Sequence, residues 1–410
     1  MAGWMGKEEA LPGWLWERNR RLPAAIRDPE VGQQWRARMR NPDGPIVLDM
    51  FCGAGGFSIG FAAAGFVIGA GIDNDASAAM TYGHNLAGLG VCDDVRSIAN
   101  PERWIADRGI PRVDVCIASP PCQGFSRVGK AKIRSLGREA FYREHINTLI
   151  DEVIRFIEAL QPMAFLIENV PDLRLEYDPV TMLRERLPAY GIDARILDAS
   201  WYGVPQRRLR LFIQGMREPR RIQWPSIPFA PRVRTLEEAI GDLPDPIPMS
   251  VIPPIVPYTE RETLSSYARA MRNPDGATTV LKHMLIDHVV RSIHPRDAAM
   301  FAMLQPGETS RDLAPDHYTG RRDAFGDRYR RLRYDHPAPT ITAHLAKDGL
   351  SFIHPTALRP LTLREAARAQ SFSDHFMFGG PLTHRLRMIG NAVPPLLARA
   401  LADALARSLT

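Results

Sequence analysis

The spacing of apolar positions changes along the chain in a way that predicts alternating strands and helices. Pro45 to Leu48 is a short apolar run that leads into an acid and a glycine-rich turn, the pattern of a strand buried on both faces. Phe57 to Ala64 suits a helix, and Val67 to Ile72 reads as a second strand that ends at Asp73. Val113 to Ala118 (VDVCIA) is a further buried strand, followed by a proline-rich turn. Over residues 144–160, Ile146, Leu149, Ile150, Val153, Ile154, Ile157 and Leu160 recur at helical spacing. Ala164 to Ile167 is a strand ending in Glu168-Asn169, and Leu209 to Ile213 is one more. A closing helix is expected over Leu396 to Leu409, with Leu397, Leu401 and Leu405 on one side. Strands alternating with helices predict an α/β fold with a doubly wound, mostly parallel sheet.

The alternation stops at Pro219, where ten prolines fall in the 39 residues to Pro257. Proline serves neither a helix interior nor a central strand, so this stretch is expected to be irregular. Three parts follow: an N-terminal extension over 1–44 with one helix around Val31 to Met39, an α/β domain over 45–215 completed by 385–410, and a smaller irregular domain over 216–384. A length of 410 residues fits two domains. With 45% hydrophobic and 24% charged residues, the composition excludes collagen-like, coiled-coil and mostly disordered chains.

Cys52, Cys92, Cys116 and Cys122 form no CxxC pair, which argues against a zinc ribbon or a disulfide scaffold; no metal is expected. Met1 to Arg21 mixes charges and tryptophans without an apolar core, so no signal peptide is expected and a reduced, cytoplasmic setting follows. Met50 to Ile72 carries no charge over 23 residues, enough to span a bilayer. Its seven glycines, and the flanking Asp49 and Asp73 in place of basic or aromatic anchors, set the membrane reading aside.

The formal charge of +6 is concentrated in places. Residues 206–234 hold eight arginines against Glu218, and 320–334 hold six against two aspartates. Such runs are usually solvated surface, but two of them can also follow a phosphate backbone.

Five short segments carry candidate chemistry. Asp49-Met50-Phe51-Cys52-Gly53-Ala54-Gly55-Gly56 follows a strand and opens a helix, where glycines let a backbone approach a ligand, and Asp73 stands where an acid commonly takes ribose hydroxyls. This fits an adenosine cofactor, NAD or S-adenosylmethionine alike, although the glycine spacing is not GxGxxG. Ala118-Ser119-Pro120-Pro121-Cys122-Gln123-Gly124-Phe125-Ser126 puts a thiol at the carboxyl edge of the sheet between backbone-fixing prolines. A cysteine taken in isolation would be read as structural, as the other three are. Glu168-Asn169-Val170 offers a carboxyl group just past a strand. Gln206-Arg207-Arg208-Leu209-Arg210 puts Arg208 and Arg210 on one face of a strand, and Gly390-Asn391-Ala392-Val393-Pro394-Pro395 is a turn before the last helix.

In this order and spacing, PPCQGFS, ENV, QRR-x-R and GNAVPP resemble the DNA cytosine-5 methyltransferase family of bacterial restriction-modification systems. The resemblance covers roughly 46–215 and 355–410. Thr340-Ile341-Thr342 and the run from Arg359 to Phe372 (RPLTLREAARAQSF) also look like family segments. A departure is Ile146-Asn147-Thr148-Leu149, which lacks an arginine the family often carries there. The resemblance implies the S-adenosylmethionine-dependent methyltransferase fold, with 216–384 as a target-recognition domain. It implies Cys122 as nucleophile, Glu168 acting on ring nitrogen 3, and Arg210 with Arg208 holding the base. For S-adenosyl-L-methionine it implies Phe51, Gly53, Ala54, Gly55, Gly56, Asp73, Asn74, Asp94, Val95, Pro121, Leu149, Asn391 and Val393. Double-stranded DNA is the implied partner of a monomer, with a restriction endonuclease as a functional partner. Three other readings compete. A transfer-RNA cytosine methyltransferase of the same fold is disfavoured by the large 216–340 region and its arginines, a catalytically idle DNA-binding module by the intact Cys122, Glu168 and Arg210, and a nicotinamide-dependent oxidoreductase by PPCQ and GNAVPP.

Overall fold

The computed structural model describes residues 29–86, 88–121, 139–173, 178–217, 220–227, 232–251, 254–259, 263–272, 283–314, 329–347 and 349–409. They fall into two compact units, one made of 23–203, 208–232 and 392–410, the other of 204–207 and 233–391.

The first unit is built on a seven-stranded sheet. After helix α1 (Pro29–Arg40) come β1 (Ile46–Met50), α2 (Gly56–Ala63), β2 (Val67–Asp73), α3 (Ala76–Asn85), β3 (Leu89–Cys92), α4 (Pro101–Ala106), β4 (Val115–Ala118), α5 (Glu139–Leu160), β5 (Ala164–Asn169), α6 (Pro179–Arg186), β6 (Tyr190–Asp198) and β7 (Leu209–Arg217); α12 (Pro395–Leu409) closes the chain. The strand order is β3-β2-β1-β4-β5-β7-β6. The first five strands are parallel, while β7 runs antiparallel to both β5 and β6. A mostly parallel sheet is therefore what the alternation predicted, with an antiparallel pair at one end.

Helices cover both faces of this sheet. On one, Leu48 and Met50 of β1, Cys116 and Ala118 of β4, Phe165 and Ile167 of β5 and Leu211 and Ile213 of β7 pack with Trp104 and Ile105 of α4, with Ile150, Val153, Ile154 and Ile157 of α5, and with Val180 and Leu183 of α6. On the other, Phe57 of α2 meets Phe61 and Phe212 edge to face. There α2 lies so close against α12 that a Cβ on Gly60 would meet the Arg399 backbone nitrogen at 2.3 Å. Bulk on one face and glycine on the other are how a single apolar run serves a doubly wound sheet.

The second unit carries α7 (Leu236–Ile240), β8 (Ile247–Pro248), β9 (Ile255–Pro257), α8 (Ser266–Arg272), β10 (Met284–Ile286), β11 (Val289–Val290), α9 (Pro295–Met303), β12 (Arg330–Arg331), β13 (Phe352–Ile353), α10 (Leu363–Ala369) and α11 (Leu382–Asn391). Among the described residues its strands pair two by two. The proline-rich stretch expected to be irregular thus contains one helix and two short strands. The helix forms because 235–243 is free of proline and Thr235 and Glu238 close a capping box on it.

Gln206 anchors its short segment inside the second unit. Its side chain donates to the Ala369 carbonyl at 3.2 Å and accepts the Ile341 N–H at 2.9 Å, and Arg207 N–H reaches the Ala338 carbonyl at 2.8 Å. Gly390 must be glycine for packing: a Cβ there would stand 2.3 Å from the backbone of Thr342 and Ala343. The run from Arg359 to Phe372 is core, not surface. Arg364 donates to the carbonyls of Ile286, Ser373 and Phe376, and Arg368 is paired with Asp242 and Asp374. No described helix is long and apolar enough to cross a membrane.

Candidate active site

The parallel strands end on one edge of the sheet, and the residues singled out in the sequence follow those ends. After β1 the chain turns through Phe51 (φ +58°), Gly53 (φ +53°) and Gly55 (φ +88°) into α2. Left-handed backbone at Phe51 carries strain that a non-glycine residue seldom bears. Gly55 is fixed twice over, since a Cβ would meet Leu86 Cδ1 at 2.6 Å and Tyr82 Cδ2 at 2.9 Å. Nothing lies within 4 Å of where a Cβ on Gly53 would stand, so the backbone is open to a ligand there. Ala54 and Gly56 are buried behind the turn.

Asp73, at the end of β2, ties this turn down. Its Oδ2 accepts the Gly53 N–H and its Oδ1 the Asp75 N–H, both at 2.9 Å. Burial pushes its carboxyl group up, against the pull of those two N–H donors. Each oxygen keeps a second lone pair, so the carboxylate can still accept two hydroxyls. Asn74 beside it is exposed. Asp94 caps a 3-10 turn that contains the buried Val95, and Arg96 grips it in a fork at 2.6–3.1 Å, which takes up much of its acceptor capacity.

Past β4, Ser119 N–H donates to the Met50 carbonyl at 3.1 Å, Pro120 is buried and Pro121 is exposed. Cys122 follows and lies outside the described residues. Leu149 is buried on α5. At the end of β5, Glu168 is buried and Arg210 Nε donates to its Oε1 at 2.9 Å. The antiparallel direction of β7 produces this contact: Glu168 lies opposite Phe212, so the start of β7 stands beside the end of β5. Burial raises the Glu168 carboxyl group, while Arg210, Arg208 and hydrogen bonds from Arg210 and Ser119 hold it back. A carboxyl group balanced in this way is suited to trading a proton with a bound base.

Arg208 precedes β7 rather than lying on it, because the strand begins at Leu209. Its N–H donates to Asp198 at 3.1 Å, its carbonyl accepts the Ala199 N–H, and its side chain is buried. Asn391 is the exposed last residue of α11 in the second unit; Val393 is buried in the first. The first unit therefore gathers Phe51, Gly53 and Asp73 at one group of strand ends, and Ser119, Glu168 and Arg210 at the next.

Sequence reasoning passed over Ser119, although it stands in the quoted ASPPCQ segment next to the strand end. It also passed over the chain of Asp49, Ser58 and Tyr82 beneath the glycine turn. Asp49 Oδ2 accepts from Ser58 Oγ at 2.7 Å, and that oxygen lies 2.7 Å from Tyr82 Oη. Cys52 and Cys116 are buried with their thiols pushed up by burial, Cys116 to about 12, while Cys92 is exposed; all three are free. No group of three metal-ligating side chains occurs among the described residues.

Comparison with known proteins adds an independent line. The sequence pattern of the family described as C-5 cytosine-specific DNA methylase matches residues 46–407. The chain is 33% identical to the type II methyltransferase M.AgeI of Thalassovita gelatinovora, over 87% of this chain and 98% of that protein. It is 31% identical to the type II methyltransferase M.XorII of Xanthomonas oryzae pv. oryzae, over 89% and 85%. A solved structure of a prophage-encoded DNA modification methyltransferase of E. coli superposes with a TM-score of 0.72 at 26% identity, covering 89% of this chain and 99% of that one. The methyltransferase EhMeth of Entamoeba histolytica shares the fold, with a TM-score of 0.55 at 15% identity over 90% and 99%.

Proposed function

Because the chain belongs to the C-5 cytosine-specific DNA methylase family, we propose that its Cys122, Glu168 and Arg210 carry out methyl transfer to carbon 5 of a cytosine extruded from duplex DNA. The chain is a DNA cytosine-5 methyltransferase. The observation that carries the residue assignment is the Glu168–Arg210 pair, buried beside the strand end that leads into PPCQ.

Carbon 5 of cytosine is too electron-poor to attack a methyl donor. The thiolate of Cys122 adds to carbon 6, and the ring electrons shift so that carbon 5 becomes nucleophilic. Glu168 gives a proton, or a hydrogen bond, to ring nitrogen 3 and so stabilises the adduct. Arg210, with Arg208, holds the base oxygen. Once carbon 5 is methylated, its proton passes to water, the electrons of that C–H bond expel the Cys122 thiolate from carbon 6, and the proton on nitrogen 3 returns to Glu168, which restores the aromatic ring.

The family uses S-adenosyl-L-methionine, whose sulfonium supplies an electrophilic methyl group. The residues present suit it. Gly53 leaves the backbone open, Asp73 keeps acceptor positions for ribose hydroxyls, and Phe51, Ala54, Gly55 and Gly56 shape the turn. Asn74, Asp94, Val95, Pro121, Leu149 and Val393 of the same unit complete the set.

The target atom is out of reach inside a duplex, so the base must leave the stack at a cost of a few kcal/mol. Arginines of 206–234 and 320–334 other than Arg208, Arg210 and the internally bound Arg331 offset that cost through phosphate contacts, and residues 216–384 recognise the target. In the same reading the chain acts on double-stranded DNA in the cytoplasm as a monomer, with a restriction endonuclease as its functional partner; what supports this is its likeness to proteins named type II methyltransferases.

Duplex DNA carrying 5-fluorocytosine tests the chemistry, because fluorine at carbon 5 cannot leave as a cation. With the methyl donor present, a covalent protein–DNA adduct is expected in the wild type and none in Cys122→Ala. An adduct that survives in C122A, or none in the wild type, overturns the assignment. Methylation-sensitive sequencing of DNA from expressing cells identifies the target sequence.

A further inference from the structure

We propose that Ser119 is a positioning residue for this reaction, its hydroxyl holding the Glu168 carboxyl group from the β4 side while Arg210 holds it from β7. The inference rests on the reading of Glu168 as the group that acts on ring nitrogen 3.

Ser119 is the first residue after β4, and its backbone is fixed by the bond from its N–H to the Met50 carbonyl of β1. Its side chain donates to Glu168. The next two residues tie the same loops in the reverse direction, since Asn169 Nδ2 donates to the Pro120 carbonyl at 3.3 Å. Asn169 is itself held, its Oδ1 accepting the Val170 N–H at 2.8 Å. The end of β5 and the segment entering PPCQ are thus cross-tied at successive residues, 119 to 168 and 120 to 169.

One donor alone would leave the carboxyl plane loosely defined. The terminal torsion of a glutamate is broad, and Arg210 reaches the group at Oε1 from the β7 side. A second donor from a different strand removes that freedom. Its chemistry also matters. The groups facing Glu168 are Arg210 and Arg208 from the β7 side and Ser119 from the β4 side. A hydroxyl that donates to the carboxylate favours the ionised form without adding a charge that would compete for the base. Ser119 therefore opposes burial, and it keeps the acid from holding its proton too tightly to share it.

Full-length Ser119→Ala, Ser119→Thr, Ser119→Cys and Glu168→Gln test this by single-turnover transfer of a labelled methyl group to unmethylated genomic DNA across pH. S119A is expected to slow transfer about tenfold near neutral pH, the loss of one hydrogen bond to a charged group. Its descending alkaline limb should move to higher pH, because the ionised acid has lost a donor. S119T restores the hydroxyl and should recover both rate and profile. S119C, close to serine in shape with a weak donor, should shift in the same direction as S119A and supplies the readout if S119A does not fold. An unchanged profile in S119A and S119C overturns the proposal, as does an equal loss at every pH or a failure of threonine to rescue. Should E168Q retain the wild-type rate and profile, the role of Glu168 itself is refuted. A slow E168Q beside an unaffected S119A refutes Ser119 alone.

Discussion

Replacing Asp49 by asparagine should abolish a pH dependence of stability that the wild-type fold carries. Asp49 ends β1 with 1% of its surface exposed. One carboxyl oxygen accepts from Ser58 and the other, Oδ1, is buried without a hydrogen-bond partner. Burial pushes the carboxyl group from an ordinary 3.8 up to about 8; the Ser58 bond opposes this and nearby Asp73 adds to it. The folded chain therefore binds one more proton here than the unfolded chain between those two values. A raised acid contributes stability that is full below the unfolded value and is lost as pH rises toward the folded one. One proton corresponds to about 1.4 kcal/mol per pH unit, so roughly 3 kcal/mol disappears between pH 5 and pH 7. Asparagine keeps an oxygen for Ser58 and does not titrate. Its own packing cost is the same at every pH and cancels when slopes are compared. Urea denaturation of wild type and Asp49→Asn at pH 5, 6 and 7, without DNA or donor, reads the difference directly. The variant should gain on the wild type by about 1.4 kcal/mol for each unit of rising pH. A difference that stays constant within about 0.5 kcal/mol refutes the neutral, buried carboxyl group.

Three further outcomes follow from the same geometry. Arg368→Ala takes the paired guanidinium from the buried Asp374 and leaves Asp242 with Arg272 alone, and should cost about 3–5 kcal/mol, seen as a fall in Tm; an unchanged Tm would show that the cluster contributes nothing. Gly55→Ala combines φ +88° with a Cβ 2.6 Å from Leu86 and should cost about 1–3 kcal/mol together with donor affinity, whereas Gly65→Ala, at φ +90° in open space, pays the backbone strain alone. Equal effects of the two would remove the packing argument. Asp73→Ala frees the Gly53 and Asp75 N–H groups and should weaken donor binding roughly tenfold or more by calorimetry, while unchanged affinity would exclude this carboxylate from the site.

The strands legible in the sequence are the ones buried on both faces. β1, β2, β4 and β5 lie within an element-length apolar run, and their predicted ends fall within about two residues of those observed. The two edge strands had no such signal. β3 is half-exposed along its length, and β6 interleaves Asp193 and Arg195 with its apolar residues while leaving Ile196 exposed. Missing β6 also hid the direction of β7. Only a short 3-10 turn and a brief link separate the two, too little for the crossover a parallel pair requires. The antiparallel start of β7 is what sets Arg210 against Glu168, so the sequence singled out both residues without showing why they meet. Ser119 was missed for a related reason, since its partner is 49 positions away and is reached only through the pairing of β4 with β5.

The arginines show how far burial, rather than residue type, decides the work a side chain does. In the run from Arg359 to Phe372 the helix α10 is buried at every position, so it has no solvated side on which to place a charge. Its alanines let neighbours approach, and its arginines then have to be satisfied inside the protein. Arg364 does so with three backbone carbonyls and Arg368 with two aspartates, which binds segments distant in sequence into one unit. A family segment rich in arginine thus serves the architecture. At the edge of the sheet the same chemistry is arranged differently. Arg210 faces a single carboxyl group, which burial pushes up while Arg210, Arg208 and Ser119 pull it down. In the core the arginines tie distant segments together; at the strand end one ties two neighbouring strands through a buried acid.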